Sequence, residues 1–333
     1  MYTTNSSYTL AIRISVLCLL IVQTSSGVLL MRYSRLYNNY SSTLAVFYSE
    51  ILKTGLLLIL FYKQNQFSVR LTWSAIKKEI IFNPKETIKL IIPGALYLIQ
   101  NNLVFIALSN LDAATFQITY QLKIITTSLI SICILGTRIN KNKWVALISL
   151  MVGVILVQDG KSTKPTEDSH EKSWAIGLAC VLFACISSPF AGVYYEKLIK
   201  TGAQCSIVIR NLQLAIFSLT FGFIGVLIQE GTNFFLLGDQ FKNFDAVVWG
   251  IICIQGAGGI IVAAVVKYTN NIQKGFATSI SIVLSSLISY LLLHDLVIDG
   301  QFMMGGALVL GSTILYSMSG TKPPKDTAID SKC

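Results

Sequence analysis

Lys123 stands near the middle of an apolar stretch, with Phe116, Thr119, Tyr120, Thr126 and Thr127 set around it at intervals of three and four residues. On a helix these side chains share one face, while Ile118, Leu122, Ile125 and Leu129 fall on the other. An ammonium in hydrocarbon costs about 2.5–3.5 kcal/mol on insertion scales, so it persists where an anion or water meets it. The chemistry that fits is anion binding from a polar helix face. A second stripe, Lys274, Thr278, Ser281, Ser285 and Ser289, also holds to one helical face. Serine and threonine alone are equally packing residues in membrane helices. The lysine heading the stripe is what points to a ligand.

Other polar side chains stand where a cavity would need them. Tyr97, Gln100, Asn101 and Asn102 follow Pro93 and Gly94, Asn211 sits between Arg210 and Gln213, and Ser187, Ser188 and Gly192 surround Pro189. Glu50 and Lys53, three apart, are candidates for the same cavity or a pair that neutralises itself. Two lysines among aromatic and amide groups suit a ligand with a diphosphate and a planar base. Lysine offers phosphate a compact charge, Phe116 or Tyr120 offers a ring for stacking, and Asn101 and Asn211 offer donors and acceptors to a nucleobase edge. By themselves the residues lead to a phosphorylated organic anion, which a proton-coupled transporter or a lipid-phosphate flippase would also bind.

The elements that carry these residues are membrane helices. Of 333 residues, 53% are hydrophobic and 13% charged, about half the charged fraction of an ordinary soluble domain, and the mean hydropathy is +0.64. Apolar runs long enough to cross a bilayer are expected at 11–31, 43–62, 88–108, 113–136, 143–159, 174–194, 205–228, 246–266, 275–294 and 301–319. The longest connections, 63–87, 160–173 and 229–245, leave no room for a soluble catalytic domain. The fold class is therefore an all-α membrane protein of ten transmembrane helices. Its expected units are a five-helix half at 1–160, a polar connecting loop at 161–173, a second five-helix half at 174–320 and a tail at 321–333. Five helices per half invert the second half, bring the fourth helix into correspondence with the ninth, and set a site near the midplane between them.

With the N-terminus in the cytosol, fifteen Lys and Arg fall in cytosolic segments and six on the opposite side. The positive-inside rule thus puts both termini in the cytosol. The net charge of +10 is mostly this bias, so nucleic-acid binding is not inferred. The first apolar run reads as an uncleaved helix because no strong basic region precedes it. Seven cysteines without metal spacing read as packing residues, two histidines, His170 and His294, cannot form a metal site by themselves, and the terminal Cys333 is not a prenylation box. Neither metal nor cofactor is called for. The sequon at Asn39 lies on the non-cytosolic side and close to the second helix, and the one at Asn5 falls in the cytosol. The tight runs at 256–259 (GAGG) and 305–306 (GG) suit close helix contact, and Pro189 suits a kink.

Residues 110–124 (NLDAATFQITYQLKI), 190–197 (FAGVYYEK), 210–213 (RNLQ) and 266–278 (VKYTNNIQKGFAT) resemble nucleotide-sugar transporters of the drug/metabolite transporter superfamily, in the branch of the UDP-N-acetylglucosamine, UDP-galactose and CMP-sialic acid carriers. The resemblance covers nearly the whole chain. It implies ten helices in two inverted halves, residence in the Golgi membrane, and exchange of a cytosolic nucleotide sugar for a lumenal nucleoside monophosphate. It also implies that Lys123 and Lys274 meet the phosphate, that Asn211 meets the base, that Asn101 and Phe116 line the pocket, and that Glu50 and Lys53 form a polar pair.

Phe116 and Ala215 resemble the UDP-sugar members rather than the CMP-sialic acid carriers, which have a tyrosine and an aromatic there. Residues 275–281 and 287–290 look closest to UDP-N-acetylglucosamine carriers, and 114–116 also fits UDP-galactose carriers. The expected activity is therefore antiport of UDP-N-acetylglucosamine, UDP-galactose or both against UMP, with CMP-sialic acid/CMP exchange as the alternative substrate pair. The expected partners are the UDP-sugar, UMP and membrane lipid; self-association and glycosyltransferase complexes stay open. An intramembrane enzyme would need a carboxylate or histidine constellation, and within the expected spans Glu50 stands nearly alone. A pure scaffold has no use for polar stripes on two corresponding helices.

Overall fold

The computed structural model describes residues 6–37, 40–111, 116, 119–159, 174–201, 206–231, 241, 244–293 and 300–319. The expected loop at 161–173, the tail at 321–333, Asn5, Asn39, His170 and His294 lie outside the described residues, as do the side chains of Asn101, Asn102 and Ser289. Among the described residues every regular element is a helix. Long helices are α1 (Ser6–Tyr37), α2 (Ser42–Gln64), α5 (Ile91–Asn110), α6 (Leu122–Leu135), α7 (Lys141–Asp159), α8 (Trp174–Thr201), α9 (Ile207–Glu230), α10 (Ala246–Tyr268), α11 (Asn271–Leu293) and α12 (Gly300–Met318). Two short ones, α3 (Val69–Ile76) and α4 (Pro84–Ile88), flank a π-helical turn at Lys77–Ile81. Helices α1, α2, α8, α9, α10 and α12 contain stretches long and apolar enough to cross a membrane.

The helices end for local reasons. Ser41, Ser206 and Asp245 accept backbone N–H groups at the starts of α2, α9 and α10, satisfying donors that a helix start leaves unpaired. Gly136 closes α6 in the left-handed region at φ 65°, where a residue with a Cβ is strained. Three expectations shift. The run expected at 174–194 continues as α8 to Thr201, because Glu196, Lys197 and Lys200 end the apolar stretch without ending the helix. The run expected at 113–136 is interrupted by a turn at Gln121, after which α6 begins. The connection at 63–87 folds into α3, the π-helical turn and the start of α4.

The dominant packing partners come from opposite halves of the chain. Helix α1 packs on α10 and α11, α2 on α9 and α10, α5 on α8 and α9, α6 on α8, and α7 on α12. Backbones meet closely where α7 joins α12: a Cβ at Gly153 would sit 2.9 Å from the Gly305 carbonyl oxygen, and one at Gly305 only 2.7 Å from that of Gly153. Ile124, Leu147, Leu150, Val154, Phe276 and Val309 pack together between α6, α7, α11 and α12. The two helices bearing the lysine stripes rest on this cluster.

Candidate functional site

A cavity of about 490 Å3 lies between α1, α6, α7, α8 and α11. Lys123 and Thr127 enter it from α6, Lys274, Thr278, Ser281 and Ser285 from α11, and Ser188 and Pro189 from α8. Both predicted polar stripes thus reach one space, whereas Leu122 and Leu129 on the other side of α6 are exposed on the protein's outer surface. Phe116 and Tyr120 line the cavity and stack at 5.3 Å between centroids. The Lys123 ammonium sits 4.1 Å from the centre of the Tyr120 ring, a cation–π contact. Gln100 reaches the same group by donating to the Tyr120 hydroxyl at 3.1 Å, and its buried Oε1 has no hydrogen-bond partner among the described residues.

The charges in this space are unbalanced. Lys274 is close enough to act electrostatically on Lys123, and among the described residues no carboxylate lies within ion-pair distance of either. The hydroxyls on α11 spend their protons at home: Thr278 donates to the Gly275 carbonyl at 2.8 Å, Ser281 to Thr278 at 2.7 Å and Ser285 to Ile282 at 3.1 Å. Their oxygens keep lone pairs free to accept from hydroxyl groups. The cavity therefore presents two cations and a row of acceptors, the complement of a phosphorylated sugar.

The N-terminus of α11 is fixed by Gly192 together with three residues outside the sequence-derived set, Glu196, Lys200 and Asn271. The buried Glu196 carboxylate accepts from the Asn271 backbone N–H at 2.8 Å, from the Asn271 amide at 2.9 Å and from Lys200 at 2.6 Å. Asn271 also donates to the Gly192 carbonyl at 2.6 Å, and Lys200 to that of Thr269 at 2.6 Å. A Cβ on Gly192 would meet Asn271 Oδ1 at 2.9 Å, so Gly192 is where α8 lets Asn271 approach. The i, i+4 spacing of Glu196 and Lys200 was the available sequence signal, hidden because both lie past the end of the apolar run.

The remaining predicted residues form two separate groups. On one side Asn211 is buried on α9 and accepts from the Tyr195 hydroxyl at 2.8 Å, with Tyr97 of α5 close to Tyr195. On the other, Glu50 and Lys53 form an ion pair on α2, and the Lys53 stem crosses Gly259 of α10. Neither group lines the cavity that holds the lysines.

A profile of the nucleotide-sugar transporter family matches residues 8–317. This chain belongs to that family. It is 44% identical over 304 residues to the UDP-N-acetylglucosamine transporter of Rattus norvegicus, covering 90% of this chain and 93% of that one. The UDP-N-acetylglucosamine/UDP-N-acetylgalactosamine transporter of Caenorhabditis elegans is 40% identical over 324 residues, 93% of this chain and 94% of its own. The UDP-galactose translocator of Homo sapiens is 40% identical over 304 residues, 91% of this chain and 76% of its own. A protein of known crystal structure, 13% identical, aligns with 94% of this chain and 98% of its own length at a TM-score of 0.62, which extends the likeness of fold. Family membership makes this chain a transporter rather than an enzyme.

Proposed function

We propose that this nucleotide-sugar transporter is an antiporter of the Golgi membrane, carrying UDP-N-acetylglucosamine, UDP-galactose or both into the lumen in exchange for UMP. The observation that carries the reading is the pair of lysines, one from α6 and one from α11, facing one 490 Å3 cavity without a carboxylate partner among the described residues. A diphosphate supplies the missing negative charge. The Phe116–Tyr120 stack gives a planar base or a sugar face an apolar wall. The unfilled Gln100 oxygen accepts a ligand N–H or O–H, and the hydroxyl row of α11, including Ser281, receives the sugar. Asn211, with Tyr97 of α5, forms the base-reading side, reached when Tyr195 releases the Asn211 oxygen. Glu50 and Lys53 steady α2 against α10. The relatives at 44% identity named for UDP-N-acetylglucosamine, against 40% for those named for UDP-galactose, favour the first sugar.

Ten membrane crossings in two inverted halves fit the packing, and the Lys and Arg distribution supports cytosolic termini. Advance each of the ten long helices by five, so that α1 maps to α8 and α6 to α11, and the dominant contacts map onto one another. The contact of α5 with α8 becomes that of α10 with α1, that of α6 with α8 becomes that of α11 with α1, and that of α2 with α10 becomes that of α9 with α5. The α2–α9 and α7–α12 contacts map onto themselves. Alternating access then rocks one half against the other around the lysines. In this orientation the Glu196–Asn271 tie lies at the cytosolic ends of α8 and α11.

The test is uptake into liposomes carrying the purified protein and preloaded with UMP, CMP or GMP, against a panel of nucleotide sugars. UMP-stimulated uptake of UDP-N-acetylglucosamine or UDP-galactose is expected. Stimulation only by CMP overturns the assignment in favour of CMP-sialic acid.

A further inference from the structure

The segment between α2 and α5 is built like an adhesive surface rather than a connecting loop. At its start Gln66 and Phe67 both take φ 56°, a left-handed pair that turns the chain sharply out of the α2 direction. Ser68 then caps α3 by accepting the Leu71 N–H at 3.4 Å. One side of the segment faces the protein: Ala75, Ile76 and Ile80 pack against Leu57 and Phe61 of α2 and Val208 and Ile209 of α9. The side turned away carries large apolar groups at Phe67, Trp73, Phe82 and Ile88, which are 63%, 54%, 77% and 59% exposed. A loop in water gains nothing from this pattern.

The same outer side is basic. Arg70, Lys77, Lys78 and Lys85 are exposed beside the aromatic groups, and Lys77 stands 5.5 Å from the centre of the Trp73 ring. Aromatic rings next to lysines are the combination that settles at the headgroup level of a bilayer, the ring at the acyl boundary and the ammonium on phosphate. The place is right as well. Helix α2, a candidate membrane span, ends at Gln64, so the segment starts where the hydrocarbon stops.

The surface is held rigidly rather than tethered. Arg210, 2% exposed in the first turn of α9, donates to Glu86 Oε2 at 2.7 Å, and Glu86 also pairs with Lys89. Gln213 donates to the Glu79 carbonyl at 3.0 Å and to the Thr87 hydroxyl at 3.1 Å. We propose that residues 66–90 form a docking surface for the anionic phospholipid headgroups of the adjoining leaflet, preset by the Glu86–Arg210 tie to α9. That this leaflet is the cytosolic one rests on the orientation proposed above; the surface itself does not.

The test uses the full-length protein with Trp144, Trp174 and Trp249 replaced by phenylalanine, leaving Trp73 as the reporter. It is reconstituted into vesicles of phosphatidylcholine and phosphatidylserine in both leaflets, with one lipid or the other brominated. Brominated phosphatidylserine is expected to quench Trp73 more than brominated phosphatidylcholine at the same mole fraction. The K77Q/K78Q/K85Q variant is expected to lose that preference by about fivefold or more, and K77R/K78R/K85R to keep it. Equal quenching by the two lipids, absence of quenching, or a preference that survives the glutamine substitutions overturns the proposal. Because the readout involves no transport, it stands or falls apart from the assignment of substrate.

Discussion

Replacing either cavity lysine by methionine is expected to move stability and nucleotide affinity in opposite directions. A sphere of 490 Å3 is about 10 Å across, and two unit charges at that spacing repel by about 1.7 kcal/mol at an effective dielectric of 20. Lys123→Met removes that repulsion together with the cost of holding a partly buried cation. It loses the contact with the Tyr120 ring, worth about 0.5–2 kcal/mol. Lys274→Met relieves the same repulsion but gives up attraction from Glu196. Both variants lose a charge-assisted contact to phosphate, about 1.5–3 kcal/mol, which weakens UMP binding about 10- to 150-fold. The assay pairs thermal unfolding of the purified protein without ligand with calorimetric titration of UMP. A Lys123→Met protein that unfolds at lower temperature than the parent and binds UMP unchanged would refute the reasoning: the lysine would then be a packing residue already satisfied by the protein.

Gly192→Ala is expected to lower stability by about 1–3 kcal/mol and slow exchange, because a Cβ 2.9 Å from Asn271 Oδ1 displaces the amide that bonds Glu196; unchanged unfolding temperature and exchange rate count against that tie. The Glu86 carboxyl is held below its usual range by the hydrogen bond from Lys89 and then by that from Arg210. A carboxyl depressed in the folded state stabilises above its unfolded pKa of about 4.3, and that stability is lost as pH falls through the lower folded value. Unfolding temperature should therefore hold at pH 6 and drop below about pH 4.3, with Glu86→Gln flattening that acid limb; an identical limb in the variant sinks the assignment. Thr127→Glu places a carboxylate four residues from Lys123 on the cavity face, and is expected to let residual UDP-sugar uptake proceed without internal UMP. Uptake that stays dependent on UMP preloading argues against charge balance as the basis of exchange.

The lysine stripes could be read in the sequence because their signal is local: a charge inside an apolar period announces itself within two helical turns. The same locality hid Glu196, which falls two residues beyond the apolar run expected to end at 194, in a helix that continues to Thr201. It also hid the fold of 66–90. Helix α3 is eight residues long, too short to show a period, and Arg210 is 124 residues from the Glu86 it binds. Asn211 was identifiable as a polar residue in a membrane helix, yet its engagement with Tyr195 depends on how α8 packs beside α9. Pairings across the chain follow from packing, and no window of sequence contains both partners.

How the protein treats its buried cations supports the exchange mechanism. Lys53 is paired with Glu50 and Arg210 with Glu86, so at these two places a cation that serves structure has a carboxylate beside it. Among the described residues no carboxylate pairs with Lys123 or Lys274 at the cavity, and Glu196, the carboxylate nearest in effect to Lys274, is occupied by Lys200 and Asn271. A paired site would be neutral when empty and free to reorient without cargo. Two uncompensated ammonium groups make the empty form the costly one to move through a closed intermediate, because closure expels the water that solvates them. A nucleotide on either side removes that cost, so the loaded protein reorients and the empty one waits. In the proposed antiport, coupling between sugar uptake and monophosphate release then requires no dedicated gate, only two cavity lysines left without carboxylate partners.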